Sequence, residues 1–80
     1  MRIIREFFHD DCKISVFQWN GKYLIKLERA NLEQTFKIPE YDLPDEASVE
    51  KILDKIFMED STRRFDDMQV SIRASLTRNS

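Results

Sequence analysis

His9, Asp10, Asp11 and Cys12 stand side by side, the one place in this chain where metal-ligating and acid–base side chains cluster. In an extended strand, neighbouring side chains point to opposite faces, so the four do not converge there; in a turn, two of them can. The same residues form a polar turn in which Asp10 or Asp11 bonds the backbone. We read them that way and assign no metal. His9 is the sole histidine, so imidazole chemistry rests on it alone, and nothing in the sequence identifies a partner that would orient it. A nucleophilic cysteine needs a base and a stabilised thiolate. Cys12 instead falls at a strand start on an inner face, the place of a buried, inert thiol. The acid pairs Asp10-Asp11 and Asp66-Asp67 have the character of solvated carboxylates at a turn or on a helix surface. One glycine in 80 residues excludes a glycine-rich phosphate loop. No catalytic residue, no cofactor and no enzyme activity is expected.

A surface carries the stronger signal. Lys13, Phe17, Trp19, Lys22, Leu24 and Lys26 share one face of a hairpin, and exposed aromatics in an apolar patch mark a place that something covers. Three covers fit. The chain's own tail folds over it; a second subunit packs on it; or single-stranded nucleic acid stacks on the aromatics while lysines hold phosphates. Glu28 and Glu33 lie on the same face and repel phosphates, which weakens the third. A second stripe, Phe65, Met68, Ile72 and Leu76, has helical spacing in the tail. Arg63-Arg64, Arg73 and Arg78 make that tail locally basic, with a solvated rim as the default and an anion or acidic partner as the functional alternative.

The element that sorts these residues is the turn Asn20-Gly21, between strand-like runs 12–19 and 22–29. A two-residue type I′ turn pairs Trp19 with Lys22, Phe17 with Leu24, Ser15 with Lys26 and Lys13 with Glu28. The opposite face then pairs Val16 with Ile25, Ile14 with Leu27 and Gln18 with Tyr23. A slip of one residue mixes the two sets. Residues 32–38 read as a further strand. A tight turn at Ala30-Asn31 sets Ile25 opposite Phe36 but Glu28 against Glu33, whereas a four-residue turn over 30–33 sets Lys26 against Lys37; both fit. Residues 2–8 suit a helix or a strand, and the turn-like residues that follow favour a strand. The expected sheet is thus an antiparallel meander of three to four strands spanning residues 2–38.

Pro39 ends the last strand, because it cannot donate to a ladder. A helix is expected from Pro44, with Asp42, Asp45 and Glu46 at its positive end. Val49, Ile52, Leu53, Ile56 and Phe57 give it an apolar stripe, which should cover the Ile14/Val16/Ile25/Leu27 face. Asp60-Ser61 can cap a new helix. The stretch 68–76 also alternates as a strand would; helix is preferred, giving a helical segment over 44–76. The fold class is therefore α+β, with one or two C-terminal helices packed on one sheet face.

The bulk properties set limits. Eighty residues make a single domain, 1–80, near the lower size at which one apolar core suffices. That leaves little surface for a deep internal ligand cavity and makes dimerisation a reasonable expectation. The chain is 41% hydrophobic and 35% charged, with a net charge of -2. Binding nucleic acid by bulk electrostatics is disfavoured, although a local basic face remains open. One cysteine permits no internal disulfide and no multi-cysteine zinc site, which fits a reducing cytoplasm. No apolar run reaches membrane-spanning length, and Arg2, Arg5 and Glu6 interrupt the place of a signal-peptide core. Four strands and a helix are similar in plan to the whirly-type binders of single strands, a likeness of architecture that no motif residue carries. The expectation is a small non-enzymatic interaction domain, acting by self-association as a homodimer or by binding a protein partner. Single-stranded nucleic acid is the alternative, and no membrane partner is expected.

Overall fold

A computed structural model describes residues 1–80. Four strands follow one another in a single antiparallel sheet: β1 (Arg2–His9), β2 (Cys12–Trp19), β3 (Lys22–Arg29) and β4 (Leu32–Pro39). Each connection has two residues, Asp10-Asp11, Asn20-Gly21 and Ala30-Asn31. Asn20 (φ 54°) and Gly21 (φ 76°) both occupy the left-handed region that the type I′ turn demands. The central register is the expected one, from Trp19 opposite Lys22 to Lys13 opposite Glu28.

The connection at Ala30-Asn31 is the tight one, and Glu28 faces Glu33. Like charges opposed in a ladder destabilise it, but here a third side chain intervenes. Lys26 sits on the same face, with Nζ 3.5 Å from Glu33 and 4.0 Å from Glu28. A looser turn would have opposed Lys26 to Lys37; the tight turn puts one cation between two carboxylates. The first hairpin is less regular. A bulge between Ile3 and Arg5 in β1 turns Ile4 inward, where it packs against the core.

After β4 come a 3-10 turn (Glu40–Asp42) and two helices, α1 (Ala47–Ile52) and α2 (Lys55–Arg78). Tyr23, Ile25 and Leu27 join Cys12, Ile14 and Val16 on the inner face of the sheet, and Val49, Met58 and Phe65 close over them from the helices. One helical layer thus covers one face of one sheet, an α+β arrangement.

The helical region departs from expectation at three points. The first helix begins at Ala47 rather than Pro44, because Asp45 Oδ1 accepts bonds from the Ser48 backbone N–H (3.0 Å) and hydroxyl (2.9 Å) and so ends the loop there. The apolar stripe running from Val49 to Phe57 is broken. Asp54 takes an extended backbone (φ −83°, ψ 177°) and its carboxylate accepts the Phe57 N–H at 2.8 Å, so the new helix is capped at Asp54, not at Asp60-Ser61. The break changes the helical phase, and Ile56 points outward, 70% exposed. From Lys55 to Arg78 the chain is then one unbroken helix, and the alternating stretch 68–76, with Gln69, Ser71, Arg73 and Ser75 between the apolar residues, is part of that helix and not a strand. Replacing an N-cap acid with alanine costs about 0.5–2 kcal/mol. Asp54→Ala should lower the unfolding free energy by that amount, seen as a lower urea midpoint at an unaltered slope.

Gln34 joins helix to sheet. Buried on β4, its amide donates to the Ser61 carbonyl at 2.9 Å and its carbonyl accepts from Arg64 Nε at 2.9 Å. Arg64 in turn lies against the rings of Phe36 and Phe57, 5.5 and 5.7 Å from their centroids. Its guanidinium is therefore part of the packing between α2 and β4 and not a free rim charge.

Candidate interaction surface

The face of the sheet turned away from the helices is bare. The tail runs along the opposite side as α2, so the first of the three covers considered for the aromatic face is removed. The strand pairings arrange this bare face in rows. Ile3, Phe17, Leu24 and Lys37 lie in one line across the sheet. Glu6, Ser15, Lys26 and Thr35 form the next, followed by Phe8, Lys13, Glu28 and Glu33. On the other side of the apolar row are Trp19, Lys22 and Pro39. Trp19 is 50% exposed and Phe8 72%, which is unusual for large aromatics on one contiguous surface. Phe17 and Leu24 are half-buried among their neighbours.

Charge is divided along the strands. At the end nearest the Ala30-Asn31 turn, Lys13 pairs with Glu6 at 3.8 Å, and Lys26 serves both Glu28 and Glu33. Three carboxylates there meet two ammonium groups. At the other end Lys22 and Lys37 flank Trp19 and Leu24, and neither takes part in an ion pair. The face therefore has an acidic end, a band of Ile3, Phe17 and Leu24, and a basic end. Of the expected surface residues, Lys13, Phe17, Trp19, Lys22, Leu24 and Lys26 are brought together here.

The stripe on the tail divides. Phe65 is 1% exposed and belongs to the core, and Met68 packs against it. Ile72 and Leu76 lie beyond, in water. Sequence spacing placed all four on one side of a helix; it did not show where the sheet stops beneath it.

The polar cluster does not assemble. Asp10 adopts a left-handed turn conformation (φ 56°). His9 is exposed, with Nε2 3.7 Å from an Asp10 carboxylate oxygen. Cys12 is buried, and desolvation pushes its thiol above the ordinary value, against a smaller opposing pull from a hydrogen bond with the Glu28 backbone. That is the reverse of what a nucleophilic thiolate needs. Nowhere do three or more His, Cys, Asp or Glu side chains gather as a metal site. Asp66 is held by Arg29 at 2.9 Å. No helix is long and apolar enough to cross a membrane.

Two features escaped the sequence reading. Ile3 and Phe8 extend the bare face onto β1, a continuation that only the register of the first hairpin reveals. A groove of about 580 Å³ opens beside β1, where α2 does not cover it, between Phe7 and Ile14 of the sheet and Leu53 and Met58 of the helical layer. Compared with protein-family models, with characterised proteins and with solved structures, the chain matches none.

Proposed function

We propose that this protein is a non-enzymatic interaction domain that self-associates through the bare face of its sheet. The observation that carries the reading is the self-complementary layout of that face. In a two-fold pair the same patch meets itself. A second copy turned end for end lays Lys22 over the partner's Glu28 and Glu33, and the row of Ile3, Phe17, Leu24 and Lys37 then lies against the partner's row of Glu6, Ser15, Lys26 and Thr35. Burying these side chains supplies the free energy, at roughly 25 cal/mol per Å² of apolar area. The charges set the orientation and reject wrong ones. A phosphate backbone laid along the same face meets Glu6, Glu28 and Glu33 over half its length, so the layout favours protein over nucleic acid. A reducing cytoplasm suits the single buried thiol.

Light scattering after size exclusion tests the proposal, with the emission of Trp19, the only tryptophan, as a reporter. The particle mass should be an even multiple of the 9.6 kDa chain, and Trp19 emission should shift to the blue as concentration rises. Leu24→Lys should halve the mass and abolish the shift. Equal masses for wild type and Leu24→Lys overturn the reading. So does quenching of Trp19 by single-stranded oligonucleotide at low salt that fades as salt is added, which would assign the face to nucleic acid.

A further inference from the structure

The end of α2 reaches past the sheet. Twenty-four residues of helix span about 36 Å at ~1.5 Å per residue, while eight-residue strands span about 27 Å at ~3.4 Å per residue. The molecule is accordingly drawn out to 46 Å in its longest dimension. Phe65 is the last fully buried residue of the helix. Beyond Met68, the arm from Gln69 to Arg78 carries Ile72, Leu76, Arg73 and Arg78 and no acid. Ile72 is 47% exposed and Leu76 60%. An exposed extension of nearly three turns has little reason of its own to remain helical, since most helical stability in proteins comes from packing an apolar stripe.

The groove beside β1 has the opposite character. Phe7, Leu53 and Met58 form its apolar floor, and Asp10, Asp54 and Glu59 stand at its rim. Lys55 also lies there, 3.8 Å from Glu59 and neutralising part of the acid. The rim keeps a net negative charge where the arm is purely positive. One wall of this groove is the first half of α2 itself, at Lys55, Met58, Glu59 and Thr62. Arm and groove are thus two ends of one helix.

We infer that the α2 arm of one copy seats in the acid-rimmed groove of a second copy, and reciprocally, through a two-fold axis that passes beside α2 at the level of its middle. An antiparallel pair of α2 helices brings Ile72 and Leu76 of each chain onto the partner's floor of Phe7, Leu53 and Met58. Arg73 and Arg78 then approach the partner's Glu59, Asp54 and Asp10. The helix dipoles oppose favourably, each C-terminal end lying beside the other's N-terminus. This contact is on the helical side of the sheet. It leaves the bare face free and does not depend on the use proposed for that face. Two different two-fold contacts on opposite sides build even-numbered assemblies, closed if the axes meet and extended if they do not.

The test uses the full chain bearing Leu24→Lys, in which the sheet contact is removed. That protein should remain a dimer, and adding Ile72→Ser and Leu76→Ser should reduce it to 9.6 kDa with the near-ultraviolet circular dichroism of its packed aromatics kept, because neither side chain touches the core. Arg73→Glu in the same background should weaken the dimer about 100-fold, the scale of two close charge pairs, since the two-fold contact holds each pair twice, and Glu59→Arg added to it should restore most of the loss. A Leu24→Lys protein that is monomeric up to about 1 mM, where even weak association is visible, overturns the inference. So does a dimer indifferent to the arm substitutions. Failure of the sheet proposal reads differently, as equal masses of wild type and Leu24→Lys.

Discussion

Ile25→Lys should leave the chain without a stable folded state at 25 °C, while Leu24→Lys, one residue away, should fold as the wild type does. Ile25 lies at the centre of the sheet, 1% exposed, opposite Val16 on one side and Phe36 on the other. A lysine there loses the apolar contacts of isoleucine, which alone are worth about 2–5 kcal/mol by truncation. It also buries an ammonium with no carboxylate within the core, at a cost of several kcal/mol more. A chain of this length has a total stability of roughly 4–12 kcal/mol, at 0.05–0.15 kcal/mol per residue. The penalty is comparable to the whole. Leu24 projects from the bare face, next to Lys37 and Phe17, where the lysine head reaches water. Surface changes of that kind stay within about 0.5 kcal/mol. Far-ultraviolet circular dichroism and urea titration of the two variants decide the matter. Equal loss of structure in both would mean that the two sides of the hairpin are not distinct, and the interaction surface would disappear with the distinction.

That contrast was readable from residues alone because three local signals agree. Asn20-Gly21 selects a turn of one geometry, the turn fixes the pairing, and the pairing sorts Val16, Ile25, Ile14 and Leu27 away from Phe17, Trp19 and Leu24. Where the signals were not local, the reading ran out. Glu28 against Glu33 looked unfavourable as a pair, but the relief comes from Lys26, two residues along the strand, and depends on where long side chains reach. The stripe from Val49 to Phe57 fits a single helix by spacing. Its break at Asp54 lets α1 lie over the β1 side, with Glu50 paired to Arg5, and lets α2 take a separate line across β4, with Phe57 edge-on to Phe36 at 5.2 Å. Periodicity contains no information about that change of direction. The arm and the groove are further still from the sequence. Each exists because a straight helix is longer than the strands and lies off β1, which is a relation between whole elements.

Phe65→Ala should cost about 3–5 kcal/mol, the usual range for emptying a buried aromatic site, while Ile56→Ala on the same helix should cost no more than about 0.5 kcal/mol. Sequence spacing ranks these two the other way round, since Ile56 belongs to the cleaner apolar stripe and Phe65 to a stripe shared with the exposed tail. The structure reverses the order through the phase shift at Asp54. Phe65 is fully enclosed, with the Arg29 guanidinium 5.0 Å from its ring centroid and Arg29 itself fixed to Asp66 at 2.9 Å. Removing the ring takes away the last anchor of α2 before the arm and leaves Arg29 over an empty space. The loss should exceed simple truncation of an exposed phenylalanine and should appear as a fall in urea midpoint of roughly 2–5 M for a slope near 1–1.5 kcal/mol/M. Because the anchor also aims the arm, the dimer formed in the Leu24→Lys background should weaken on Phe65→Ala even at urea concentrations where the sheet remains folded. A cost below about 1 kcal/mol, or one equal to that of Ile56→Ala, would mean that α2 is not seated on β2 and β3 through Phe65, and the projection of its last ten residues would lose its footing.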